Sequence, residues 1–143
     1  MSEKSNLYDQ DFDLWLKKSA TAIKNKDFKN IDWDNLLAEI EDIGKSQKRA
    51  LESYTRRLIQ HILKLKYWKS ERKYNSQHWR IEVRNFRREV TKILEDSPSL
   101  YNYLSQNYPT WYSKTIREMG EYFDIPDHEL IPLEIMIIQE YYG

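Results

Sequence analysis

Apolar residues recur at three- and four-residue spacing along most of this chain, the period of a helix with one buried face. Phe12, Trp15, Leu16, Ser19 and Ile23 predict an amphipathic helix from about Asp9 to Lys26. Its aspartates sit in the first turns and its lysines in the later ones, the order that complements the helix dipole. Asp32 is placed to cap the next helix, whose apolar positions are Trp33, Leu36, Leu37, Ile40 and Ile43. The helical pattern then continues to Trp68, but one helix from Trp33 to Trp68 would be about 54 Å long. A compact chain of this size is roughly 40 Å across. The expectation is therefore a break at Gly44, with Ser46 capping a new helix to Trp68.

That helix carries a stripe of Leu51, Tyr54, Leu58, Ile62 and Leu65, with Thr55 and His61 on its margins. The stretch SERKYNSQ, residues 70–77, reads as a connector, and Ser76 as the cap of a helix to about Asp96 that turns Trp79, Val83, Phe86, Val90 and Ile93 inward. The two helices, 46–68 and 76–96, predict a central antiparallel hairpin. Ser97 and Pro98 suit the cap and first position of a further helix. Its pattern runs from Leu100 through Trp111 to Phe123, and Pro109 is expected to split it. IPDHELIP, residues 125–132, reads as loop, and Leu133 to Glu140 as a short last helix. The predicted architecture is all-α, a single domain over residues 1–143 formed by a bundle of four to six helices.

Composition narrows this picture. Three glycines, two valines and four prolines leave little material for sheets or tight turns. The absence of cysteine removes disulfides, thiolate metal sites and cysteine nucleophiles. With no apolar signal core at the amino terminus, and Ile135 to Ile138 as the longest aliphatic run, the expectation is a cytoplasmic protein that does not enter the membrane. Nothing in the residues calls for a cofactor.

The 23 basic and 23 acidic residues balance overall but are segregated along the chain. Residues 1–44 carry 6 basic and 10 acidic groups, 45–94 carry 15 and 4, and 95–143 carry 2 and 9. Two readings follow: the acidic ends fold onto the basic middle, or the middle faces a polyanion.

Candidate chemistry lies mainly in that middle. Arg80, Arg84, Arg87 and Arg88 fall together on their helix, away from Trp79, Phe86 and Ile93, and could follow successive phosphates. Trp68 and Tyr74, with Tyr67 and His78, lie near the hairpin tip and could stack on unpaired bases. His61, Glu82 and Glu89 flank the apolar stripes as an ionisable seam. Burial alone would call for a Glu–His or Glu–Arg contact there, and a proton carrier with its orienting carboxylate is the functional alternative. Glu39 with Asp42 and Glu118 with Glu121 form two carboxylate pairs three residues apart, a spacing seen in magnesium-binding helical nucleotide hydrolases and also common on polar helix faces. The aromatic residues crowded into the last third, Tyr101 to Tyr142, serve either core packing or an interface.

Four segments, LYDQDFDLWL (7–16), LLAEIEDIGKSQKRALES (36–53), LIQHILKLKYW (58–68) and WRIEVRNFRREVTKILEDSPSL (79–100), give the chain a nearly full-length resemblance to the family catalogued as domain of unknown function 29, small proteins common in cyanobacteria. By that resemblance Glu39, Glu41, Gly44, Ser46, Arg49, His61, Trp79, Arg84, Arg87 and Ser97 to Ser99 fall on the family's recurring positions. The resemblance implies an all-helical fold and no assigned reaction. The function expected from the residues is a non-enzymatic binding module that contacts nucleic acid or another protein. A magnesium-dependent helical hydrolase and a purely structural or homo-oligomerising domain remain as alternatives.

Overall fold

The structure, a computed structural model, describes residues 3–143, with side chains from Leu7 onward. Among these residues every regular element is helical: α1 (Glu3–Gln10), α2 (Phe12–Lys24), a 3-10 turn (Phe28–Asn30), α3 (Trp33–Tyr67), α4 (Lys69–Asp96), α5 (Leu100–Met119) and α6 (Leu133–Met136). The fold is all-α, as the spacing predicts. None of these helices is long and apolar enough to cross a membrane. The chain divides into two compact units, residues 1–46 and 47–143.

In the first unit, the helix expected from Asp9 begins instead at Phe12. Asp11 leaves helical geometry, ends α1, and accepts the Leu14 amide on its side chain at 3.0 Å, the N-cap of α2. At the other end Lys26 is left-handed (φ 57°), and the Asp27 and Lys26 amides return to the Ala22 and Ile23 carbonyls. That is a Schellman closure with lysine in the place usually taken by glycine. Tyr8, Phe12 and Trp15 form an aromatic cluster, the Trp15 indole donates to Asp32 at 3.1 Å, and the Tyr8 hydroxyl donates to Glu39. The carboxylate of Asp32 also takes the Asn35 amide at 2.7 Å. Only Trp15, Ile31 and the small Ser19 are buried among the described residues of this unit. Phe12, Leu16, Ile23, Trp33, Leu37, Ile40 and Ile43, expected in a core, are exposed.

α3 does not break at Gly44. It runs unbroken for 35 residues, about 52 Å, and contributes to both units. The length limit assumed one compact globule. Glycine permits the left-handed turn but does not impose one, and the good helix formers on both sides carry the helix through it.

In the second unit α3 and α4 form the predicted antiparallel hairpin. Contacts step down one helix as they climb the other: Lys64 lies over Trp79, His61 and Arg57 against Phe86, and Gln47 donates to the Ser97 hydroxyl at 3.2 Å. The turn is shorter than expected. Residues 70–77 are helical, and Trp68 alone separates the two helices. That segment has no Gly or Pro to stop a helix; only its apolar period lapses. Ser76 is therefore an interior residue rather than a cap.

α5 runs parallel to α3, since Lys48 meets Tyr103 and, further along, Arg56 pairs with Glu118. Pro109 does not split α5. Its ring is on the exposed side, and the Ser105 carbonyl that loses a partner belongs to an exposed residue that water can reach. Ser97 closes α4 rather than opening α5, which begins at Leu100. The final helix is one turn, Leu133–Met136, not eight residues. One core joins Leu51, Leu58 and Ile62 of α3, Trp79, Val83 and Val90 of α4, Leu104, Tyr108 and Tyr112 of α5, and Ile131, Leu133 and Met136 of the carboxyl-terminal segment.

Gly44 meets no atom within 4 Å of where a Cβ would stand. Gly44→Ala therefore removes a helix-interior glycine without a clash. It is expected to stabilise the protein by about 0.5–1 kcal/mol, read as a raised midpoint in thermal unfolding.

Candidate functional site

α4 presents its arginines in two directions. Arg80, Arg84 and Arg88 are exposed, whereas Arg87, expected in the same outward row, is 1% exposed. Its Nε donates to the Met136 carbonyl at 3.0 Å, and its two terminal nitrogens donate to the carbonyls of Gln139 at 3.0 Å and Tyr141 at 2.5 Å. The Tyr142 ring lies 4.3 Å from the Arg80 guanidinium and 5.7 Å from that of Arg87. Arg87 thus binds the end of the chain. Burial lowers its pKa, with the neighbouring tyrosines opposing, but a guanidinium remains charged throughout the accessible range. Of its five N–H groups three serve these carbonyls, and the group also lines a pocket of about 160 Å³ with Arg84, Arg88, Gln139 and Glu140.

The aromatic partners divide in the same way. Trp68 stacks on Trp79 and Phe123 with ring centroids at 5.8 and 4.9 Å, so it is part of the packing and not an open platform. Tyr74 is 74% exposed, with the Lys73 ammonium 4.9 Å from its ring. Tyr67 is half-buried against His128, and His78 is exposed.

Direct pairing does not neutralise the arginine row. Among the described residues the ion pairs are Lys17–Asp13, Arg56–Glu52 and Arg56–Glu118. Among these pairs Arg56–Glu118 joins the basic middle to the acidic last third, and among the described residues Arg80, Arg84 and Arg88 form no ion pair with a carboxylate.

The ionisable seam is looser than expected. His61 Nδ1 is 2.8 Å from the Arg57 carbonyl, so that nitrogen carries the proton and donates. Its ring rests 5.2 Å from that of Phe86. Glu82 lies close enough to favour the charged forms of His61 and Lys64 electrostatically. Among the described residues no ion pair joins Glu82 or Glu89 to His61 or to an arginine. Burial, the largest influence, holds the His61 pKa below its usual value.

The two carboxylate pairs belong to different units. Glu39 and Asp42 belong to the first unit, where Glu39 accepts from Tyr8, and Glu118 and Glu121 belong to the second, where Glu118 pairs with Arg56. Among the described residues no group of three or more His, Asp or Glu is gathered to hold a metal ion.

Three hydrogen bonds answer to no motif in the sequence. The Tyr112 hydroxyl donates to His128 Nε2 at 2.6 Å while His128 Nδ1–H donates to the Pro126 carbonyl at 2.9 Å, and the Tyr108 hydroxyl donates to the Ile131 carbonyl at 2.6 Å. They pin the 125–132 segment to α5. Burial pushes the Tyr112 pKa up to about 12. The only signal was the period that puts both tyrosines among the apolar positions of α5.

A helical bundle with a clamped carboxyl end and an exposed guanidinium row defines a class of small all-α proteins rather than a reaction. The chain matches the family described as Domain of unknown function DUF29 over residues 7–141 and belongs to it. No curated protein and no solved structure matches the chain.

Two outcomes follow. Arg87→Lys cannot satisfy three carbonyls with a forked donor and is expected to cost roughly 3 kcal/mol in denaturant unfolding, with the carboxyl-terminal amides losing hydrogen-exchange protection. His61 favours its neutral form in the folded state. Its stabilising share is thus complete above about 6.5 and is lost as pH falls through its lower folded value. Thermal midpoints measured downward from neutrality should show a loss that is shallower in His61→Gln.

Proposed function

We propose that this protein is a non-enzymatic, cytoplasmic binding module that engages single-stranded nucleic acid through the exposed arginines of α4. The observation that carries this reading is the row Arg80, Arg84 and Arg88, exposed on one long helix and, among the described residues, without an ion pair to a carboxylate. Residues four apart on a helix are about 6 Å apart along its axis, so the row presents regularly spaced donors to a chain of phosphates. Tyr74, one and a half turns earlier on the same helix, offers an open ring for stacking. Unlike a catalytic reading, this one requires no nucleophile, no gathered carboxylates and no enclosed substrate cavity. The cysteine-free composition supports a reducing compartment.

Binding of a labelled single-stranded oligonucleotide, followed by fluorescence anisotropy at increasing salt, tests the proposal. Three phosphate contacts predict a slope of about −2 in log K against log salt. Arg84→Glu with Arg88→Glu is expected to abolish binding with helicity unchanged, and Tyr74→Ala to weaken it with the slope unchanged. No binding at low salt would overturn the reading.

A further inference from the structure

The first unit wears its apolar residues on the outside. Phe12, Leu16 and Ile23 lie within about 40° of one another around α2, and each is more than two-fifths exposed. On the first third of α3, Trp33, Leu37, Ile40 and Ile43 form a second row, from 55% exposed at Trp33 to 63% at Ile43. The unit buries only two large apolar side chains, Trp15 and Ile31, among its described residues. Single exposed apolar residues need no explanation, but contiguous rows at helical spacing mark an interaction surface.

Charge identifies the occupant. At about 100° per residue Lys17 and Lys24, with Asp13, fall on one flank of the α2 row; Asp34 and Glu41 fall on one flank of the α3 row and Glu39 on the other, while Lys18 and Asp42 face away. The rows also match in length, about 16 Å from Phe12 to Ile23 and about 15 Å from Trp33 to Ile43. A partner of one sign could suit one row only. A second copy, turned about a two-fold axis, suits both at once. Pairing α3 on α3 would instead bring Asp34, Glu39 and Glu41 of both copies together. We propose that two copies of this chain dimerise through the first unit, α2 of each lying on the α3 of its partner, apolar row on apolar row and lysines beside carboxylates. This inference is independent of the arginine row on α4.

Sedimentation of the full chain over a range of concentrations tests it. The expected result is a dimer. Ile40→Glu should convert it to a monomer with its helical circular dichroism intact, since that side chain is 58% exposed within one copy. Lys17→Glu with Lys24→Glu should weaken association by about tenfold or more, as should Asp34→Lys with Glu41→Lys. Combining all four exchanges in one chain should restore it. A wild-type chain that stays monomeric overturns the proposal and leaves the face to another protein. A dimer indifferent to Ile40→Glu, or two charge reversals that do not compensate, overturns it as well.

Discussion

A guanidinium removed from water must find acceptors, and the way Arg87 does so organises the second unit. Its acceptors are backbone carbonyls at 136, 139 and 141, not carboxylates. Those carbonyls have a need of their own. α6 is a single turn, too short to satisfy its own last carbonyls, and the chain beyond it is irregular. Charge and orphaned acceptors therefore satisfy each other in a place where either alone would be costly. The consequence reaches the core, because the segment held this way delivers Ile131, Leu133 and Met136 to the helices. Tyr108 and Tyr112 fasten its earlier part through Ile131 and His128.

The clamp also shapes the surface. Four arginines in nine residues would otherwise repel one another along one face of α4. Turning Arg87 inward and laying Tyr142 between it and Arg80 divides them into a structural group and an exposed group. Glu140 reaches the rim of the pocket beside Arg84 and Arg88 without forming an ion pair with either. The tail therefore organises the arginine face without, among the described residues, a direct ion pair to it.

Much of this was legible in the residues. The 3.6-residue period located α2, the hairpin and the core positions of α4 because tertiary packing rewards that period directly. What stayed hidden has physical reasons. At about 100° per residue Arg87 stands only about 40° from Val83, at the margin of the apolar stripe and not opposite it, so its direction depends on whether something covers that margin. The cover is the tail, whose role no local pattern announces. Residues 70–77 lack an apolar period because their outer faces meet solvent, although nothing in them opposes a helix. Pro109 and Gly44 carry unfavourable local preferences of a few kcal/mol or less, which a long packed helix overrides.

The deepest ambiguity is in α3. Trp33, Leu37 and Ile40 stand at nearly the same angle around the helix axis as Leu51, Thr55 and Leu58, so the two units use the same face of α3, with Gly44, Gln47 and Lys48 between their apolar stretches. In the second unit the stripe is buried by α4, α5 and the tail; in the first it is open. Periodicity records that a face is meant to leave water. It does not record whether the surface that covers it belongs to the same chain. A stripe that changes from buried to exposed within one helix separates these possibilities, since the residues share one secondary structure and differ only in their neighbours. Loss of water from the open part then requires a surface that one copy does not supply, and the opposed charges beside the two exposed rows select a surface of the same composition.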